Sequence, residues 1–290
     1  MFDRNTYPHF LFTEISNPSP ENAFFHIIPA PYEKTTSYGK GTAKGPSAIL
    51  NASGQLEIFD GKSIPADLGI YTQPPADCEK SPEKSLNNIT KAVGNTLGLG
   101  KFPVILGGEH TITHAVVRAY QGESIGVVHF DAHADLRDAY EDTPLSHACA
   151  IRRILEMQVP VFQIGVRSMS PEEALYRKKE RIPFLDAETI MSCGFQTDIL
   201  PESFPKKIFI TLDVDVLDPS VMPATGTPEP GGLTWYLFMD IVRNILKDRT
   251  PVGMDIVEFS PLENMNVWDF VAARLTYNLM GIISRRLPNQ

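Results

Sequence analysis

The sequence predicts an α/β fold in which a parallel sheet is covered by helices. Short apolar runs at residues 24–28, 103–106, 125–130, 161–165, 207–212 and 252–257 alternate with segments carrying helix signals, the pattern of parallel strands joined by crossover helices. With 290 residues, 42% of them hydrophobic, the chain is long enough for one large core. No internal repeat, low-complexity tract or linker rich in Gly, Ser or Pro divides it, so residues 1–290 are expected to form a single domain.

Two helix starts are marked chemically. Ser81-Pro82 and Ser170-Pro171-Glu172-Glu173 each offer a hydroxyl cap and a proline in the first turn, and the second adds a glutamate placed for a capping box. The segment 267–287 repeats Phe270, Val271, Leu275, Leu279, Ile282 and Ile283 at helical spacing, which predicts a closing helix with one buried face. Residues 65–82 read as a surface excursion.

The bulk properties exclude several function classes. Net charge is -9, and no basic run exceeds Arg177-Lys178-Lys179 and Arg285-Arg286, so nucleic acid is not an expected partner. No apolar stretch approaches the roughly 18 residues needed to span a bilayer, and the segment 1–15 is charged and broken by Pro8 rather than signal-like. No membrane partner and a cytoplasmic location are expected. Cys78, Cys149 and Cys193 are odd in number and form no CxxC pair, so they read as reduced, mostly buried thiols.

Five of the seven histidines lie between His110 and His147. In His129-Phe130-Asp131-Ala132-His133-Ala134-Asp135 the ligand-type residues alternate directly after an apolar strand. Side chains two apart on extended backbone project to one side, so Asp131, His133 and Asp135 can converge, with small alanines between them. A second apolar strand, 207–212, ends in Asp213-Val214-Asp215. In a parallel sheet all carboxyl ends share one edge, which brings both clusters together with His110, reached from strand 103–106 through Gly107-Gly108.

Four carboxylates gathered in one pocket raise one another's pKa unless positive charge sits among them. Their four negative charges match two divalent ions, and six ligands serve two ions when some carboxylates bridge. The expected metal ligands are therefore His110, Asp131, His133, Asp135, Asp213 and Asp215, around a dinuclear centre. With imidazole and carboxylate donors and no thiolate, two Mn2+ ions fit by ligand type, and zinc, cobalt, nickel or iron stay open. The order Glu109-His110 fails the HExxH pattern, so His114 is expected to be a packed helix residue. His129, one step deeper in its strand, is expected to be buried and hydrogen-bonded.

Gly107-Gly108-Glu109-His110, the 129–135 segment, Ser146-His147, Asp213-Val214-Asp215-Val216-Leu217-Asp218-Pro219 and the 226–232 segment together resemble the ureohydrolase (arginase/agmatinase) family, most of all its agmatinases. The likeness runs from Pro31-Tyr32 and Gly45-Pro46 to Glu258-Phe259-Ser260-Pro261. It implies a three-layer α/β/α sandwich with a central, mostly parallel sheet, a dimanganese centre, and hydrolysis of a guanidino group to release urea. By the same resemblance His110 and Asp135 hold one ion, His133 and Asp215 the other, and Asp131 and Asp213 bridge. Glu258 resembles the carboxylate that pairs with the guanidinium, and His147, at the start of a helix expected over 146–157, the proton shuttle. Asp218 takes a turn role. A homo-oligomer, trimer or hexamer, is implied as well.

The expected chemistry follows from the electrophile. Resonance makes a guanidinium carbon unreactive, and a water held between two divalent ions loses its proton far more readily than bulk water, giving a hydroxide nucleophile. The departing amine then needs a proton. The chain has Gly165-Val166-Arg167-Ser168-Met169-Ser170 where arginases carry an aspartate after Gly-x-Arg, which argues against arginine. Asp138, Glu141 and Asp142 face one Arg137 in the loop after Asp135, which suits a small cationic guanidino substrate with a second cationic end. Agmatine, giving putrescine and urea in polyamine biosynthesis, is expected first, then aminopropylagmatine, then guanidino acids or arginine. A catalytically silent binding relative is the alternative from another class, and it should have lost ligands.

Overall fold

The computed structural model describes residues 7–195 and 197–287. The two ends of the expected 1–290 domain, and the first six residues of the segment read as not signal-like, lie outside the described residues.

Eight strands form one sheet in the order β2-β1-β3-β8-β7-β4-β5-β6, and every pairing between them is parallel. The strands are β1 (Phe25–Ala30), β2 (Ile70–Thr72), β3 (Phe102–Gly107), β4 (Ile125–Phe130), β5 (Val161–Ile164), β6 (Phe184–Leu185), β7 (Lys207–Asp213) and β8 (Thr250–Val257). All six expected strands are present. The two that were not expected, β2 and β6, are the short edges. β2 lies inside the stretch read as a surface excursion, and its three residues pair with β1 through Phe25, His26 and Ile27. So brief a strand leaves no periodicity to detect.

Side-chain alternation sorts the core onto the two faces of the sheet. Val104, Leu106, Val128, Phe130, Ile208, Ile210 and Leu212 pack in one cluster with residues of helices α1 (Gly45–Ser53), α7 (Trp235–Ile245) and α8 (Val267–Ser284). Ile105, Val127 and Phe209 belong to a second, with α2 (Pro82–Gly98), α3 (Thr111–Arg118) and α4 (Ala150–Glu156). This is the three-layer α/β/α sandwich. Phe130 and Phe209 are fully buried, and each such side chain stabilises the fold by about 1.5–3 kcal/mol relative to exposure.

The marked helix starts hold. α2 opens at Pro82 after Ser81, but without the expected hydroxyl cap, since the Ser81 side chain makes no cap bond, and α5 (Pro171–Lys179) carries both bonds of the capping box between Ser170 and Glu173. α8 buries Leu275, Leu279, Ile282 and Ile283 as expected, but Phe270 is 40% exposed; it sits in the first turn, before the helix is fully covered. The helix expected over 146–157 is broken into a 3-10 turn, His147–Cys149, followed by α4. α6 (Ala187–Cys193) completes the helices. Cys78 and Cys149 are buried and Cys193 is exposed, all three as free thiols. No helix among the described residues is long and apolar enough to cross a membrane.

The register positions the site. Leu106 pairs with Ile256, Ile256 with Leu212, and Leu212 with Phe130, so the four central strands end level with one another. Gly108 makes the exit from β3 possible. A Cβ there would overlap the backbone of Tyr32, while Gly108 N–H donates to Ala30 O at 2.9 Å and Gly108 O accepts from Glu258 N–H at 2.9 Å. Backbone from three strand ends thus meets around a residue without a side chain.

Candidate metal centre

The four adjacent strands β3, β8, β7 and β4 deliver the acidic and imidazole side chains to one edge of the sheet. His110 precedes α3, Asp131 follows β4, Asp213 ends β7 and Glu258 follows β8. His110, Asp213 and Glu258 line a cleft of about 330 Å³ together with His133, Asp135, His147 and Asp215. Asp131 itself is fully buried beneath it. All eight residues singled out in the sequence therefore converge.

His110 Nδ1 lies 3.0 Å from Asp131 Oδ2, 3.2 Å from Asp135 Oδ2 and 3.4 Å from Asp213 Oδ2. His133 Nδ1 lies 2.9 Å from Asp215 Oδ2 and 3.5 Å from Asp131 Oδ1. Asp131 is common to both groups, offering a different oxygen to each. His110 Nδ1 is buried and has no hydrogen-bond partner of its own, although three carboxylates aim at it. Donors bound at right angles to one ion, each at about 2.1 Å, lie about 3 Å apart. The spacing and the orphaned nitrogen thus fit divalent cations, and the buried His/Asp cluster is consistent with a binuclear metal site.

A surrounding frame holds these side chains in place. Thr211 Oγ1 lies 2.9 Å from His110 Nε2 and 3.3 Å from Thr113 Oγ1, which donates to Asp255 Oδ2 at 2.7 Å. Gln163 Nε2 donates to His129 Nδ1 at 3.1 Å, so the His129 proton sits on Nε2 and is given to Asp131 Oδ2 at 2.8 Å. His129 is buried and hydrogen-bonded, as its place in the strand predicted, and its Nε2–H braces the Asp131 carboxylate. Asp213 Oδ1 accepts from Asp215 N–H, and Asp215 Oδ1 from Ala132 N–H. Arg167 anchors the Asp215 main chain with a 2.7 Å bond to its carbonyl. Sequence reasoning missed Thr211, Gln163, Asp255 and Arg167 in these roles. Ordinary strand and loop residues carry no signal until the neighbouring strand is known. Asp218 takes the turn role, accepting from Ser220, Gly231 and Gly232. His114 packs half-buried on α3, with burial pulling it down to about 4.

Two site carboxylates sit in left-handed backbone, Asp135 at φ 53° and Glu258 at φ 60°, a region that disfavours residues with a Cβ. Glu258 Oε1 accepts the His110 N–H at 2.6 Å, which ties the end of β8 to the start of α3. The strain is held by that bond and by the Glu258 N–H to Gly108 O.

Crowding shifts the protonation of these groups. Burial, then the charges of Asp215 and Asp131, pushes Asp213 well above the ordinary carboxyl range. Burial and Asp131 push Asp135 up to about 7, and burial and Glu109 hold Glu258 well above its usual value. Burial pulls the imidazoles down, but Asp131, Asp135 and Asp213 hold His110 well above its ordinary value, and Asp215 and Asp131 carry His133 up to about 12. Burial acts to raise Asp131, yet the imidazoles of His129, His110 and His133 hold it well below the usual carboxyl range. Burial lowers His147.

Linkage gives these shifts a sign. Raised values for Asp135 and His133 mean that the folded chain keeps protons the unfolded chain has released. Their contribution to stability is complete below the unfolded values and is lost as pH rises through the folded ones. The depressed Asp131 acts only below the ordinary carboxyl range. The imidazoles of His114, His129 and His147, lowered by burial, add stability as pH rises toward the ordinary histidine value and oppose this trend below it. Above it they are neutral in both states, so the chelated protein is expected to melt at progressively lower temperature from about pH 7 to about pH 9, and added divalent metal to restore more at the upper end, since ligation displaces protons. Thermal scans with and without metal check this, and a melting temperature that rises with pH over that range after chelation contradicts it.

The acidic side chains expected to meet a cationic tail, Asp138, Glu141 and Asp142, do not line the cleft. Asp138 is turned outward onto Arg153 at 2.9 Å and Arg152 at 3.7 Å, and Glu141 and Asp142 are exposed in the turn. The wall is built instead from Arg137, Tyr140, Met169 and Glu173. Glu173 is placed there by its capping box and by Leu136 N–H at 2.9 Å.

A model of the arginase family matches residues 23–281. The N(1)-aminopropylagmatine ureohydrolase of Synechocystis sp. is 40% identical over 267 residues, covering 88% of this chain and 87% of that one. The agmatinase of Bacillus subtilis is 32% identical over 266 residues, covering 85% and 87%. Among solved structures, the agmatine ureohydrolase of Thermoplasma volcanium superposes with a TM-score of 0.84 at 28% identity, covering 92% of both chains. Family match, relatives and fold agree over the same residues that carry the clustered ligands, and the chain therefore belongs to the arginase family, as a ureohydrolase of guanidino compounds.

Proposed function

We propose that the chain, as a single domain, hydrolyses a guanidino-alkyl polyamine, N(1)-aminopropylagmatine ahead of agmatine, using two divalent ions, manganese by donor type. His110 and Asp135 hold one ion, His133 and Asp215 the other, and Asp131 and Asp213 serve both. The observation that carries this reading is Asp131, whose two oxygens address two different imidazoles, His110 and His133. When bound, the ions supply the positive charge this carboxylate cluster demands and a water that gives up its proton near neutral pH.

The chain's own groups do the rest. Glu258, at the floor of the cleft, pairs with the guanidinium and holds its carbon over the ligand cluster. His147 lines the same cleft with Tyr140 packed edge-on against its ring at 5.6 Å, and it hands a proton to the departing amine nitrogen. Water adds its oxygen to the guanidino carbon, the C–N bond to the alkyl amine breaks, and urea and the free amine leave.

The order of the two substrates reverses the one expected from the sequence. The acidic side chains that were to receive the tail do not line the cleft, and relatives at 40%, 35% and 33% identity are aminopropylagmatine ureohydrolases. Steady-state kinetics on a substrate panel tests the proposal. N(1)-aminopropylagmatine is expected to exceed agmatine in kcat/KM by about tenfold or more, and arginine and guanidinobutyrate by about 100-fold or more. A preference for arginine or for a guanidino acid would sink it, and a preference for agmatine would reverse the order within the class.

A further inference from the structure

One fully buried carboxylate at the mouth of α3 has no part in the mechanism so far. Glu109 precedes His110 and is completely shielded from solvent, where a carboxylate is strongly unfavourable unless hydrogen-bonded. Its Oε2 accepts from the N–H groups of Lys34 at 2.6 Å and Thr35 at 2.7 Å, and its Oε1 from the hydroxyls of Thr35 and Thr111, each at 2.6 Å. Glu109 therefore ties the segment that runs on into Thr36, Ser37 and Tyr38 of the cleft wall to the start of α3.

The Thr35 hydroxyl continues the chain of bonds. Its oxygen lies 3.2 Å from both the main-chain nitrogen and Nδ1 of His147. A hydroxyl has one proton, and here it points at Glu109; the oxygen then has only lone pairs left to offer. Nδ1 must be the donor in that contact, and a neutral imidazole that carries its proton on Nδ1 has a bare Nε2. Ser146 Oγ, at 3.4 Å from Nδ1, is the longer contact and can accept alongside.

We propose that Glu109 is a positioning residue that acts through the Thr35 hydroxyl to hold His147 in the Nδ1–H tautomer, leaving Nε2 free to exchange a proton with the reacting group. This rests on the reading of His147 as proton shuttle. Without the relay the ring turns over or adopts the opposite tautomer, and its useful nitrogen is blocked.

The test joins a spectrum to kinetics. In protein labelled with 15N-histidine and loaded with diamagnetic zinc, long-range 1H–15N correlations, with His147 assigned by its loss in His147→Asn, are expected to show a protonated Nδ1 and a bare Nε2. Thr35→Val is expected to lose that tautomer and to lower kcat by roughly 10- to 100-fold with KM changed by less than about twofold. Thr35→Ser, which keeps the hydroxyl, is expected to recover kcat to within about threefold, and Glu109→Gln to follow Thr35→Val. An Nε2–H signal for His147 in the unmutated protein, or a Thr35→Ser variant no better than Thr35→Val, overturns the relay. A His147→Asn variant as active as the unmutated protein overturns the shuttle reading itself, while the spectrum still decides the tautomer.

Discussion

Asp131→Asn is expected to lower urea release by roughly three orders of magnitude or more, with the protein still folded. The carboxylate is buried: Oδ2 accepts from His129 Nε2 at 2.8 Å and lies 3.0 Å from His110 Nδ1, and Oδ1 accepts from the His133 N–H at 2.5 Å. An amide of the same shape keeps the packing, so secondary structure and cooperative melting should persist. It offers one oxygen instead of two, however, and turns an NH2 toward imidazoles that need an acceptor. An amide also carries no charge with which to hold two cations together. Circular dichroism and a urea assay on the same preparation check both halves of the expectation. Activity near that of the unmutated protein would contradict a bridging role.

Glu258→Gln is the second large effect, a loss in kcat of about 10²- to 10³-fold with the metal content unchanged. Glu258 touches the ligand set only through the main-chain N–H of His110, at 2.6 Å, and a glutamine oxygen can accept the same bond. What disappears is the negative charge at the floor of the cleft, the counterpart of a guanidinium. The left-handed backbone at this position is kept by the retained hydrogen bond, so the loop should hold its course. Metal analysis separates the outcomes: a variant that is inactive because its ions have gone would show that Glu258 belongs with the ligands and not with the substrate.

Most of the site was legible in the sequence because the ligands sit in short periodic patterns directly after apolar strands. Asp131, His133 and Asp135 follow β4 at alternating positions, and Asp213 ends β7 with Asp215 in the 3-10 turn Val214–Val216 directly after it. Parallel pairing alone brings them to one edge, whatever the helices do. The groups that orient those ligands were not legible. Gln163 on β5 reaches His129 on β4, and Asp255 on β8 reaches Thr113 on α3; each contact depends on strand order, which local periodicity does not encode. Glu109 was passed over because its position beside His110 suggested only a failed zinc-binding pattern, whereas its partners Thr35 and Lys34 are 74 and 75 residues away. The substrate wall was misjudged for a related reason. Charge counted along the 136–145 loop took no account of Arg152 and Arg153 on α4, which draw Asp138 outward. Among the fold elements, the two short edge strands, the break before α4 and the exposed Phe270 on α8 departed from the pattern.

Metal content measured beside urea release, in the unmutated protein, Asp131→Asn and Glu258→Gln, tests the central claim most directly. The dinuclear reading predicts about two divalent ions per chain in the unmutated protein and in Glu258→Gln, fewer in Asp131→Asn, and turnover that disappears on chelation and returns with manganese. Undiminished urea release from protein stripped of all divalent metal would contradict it.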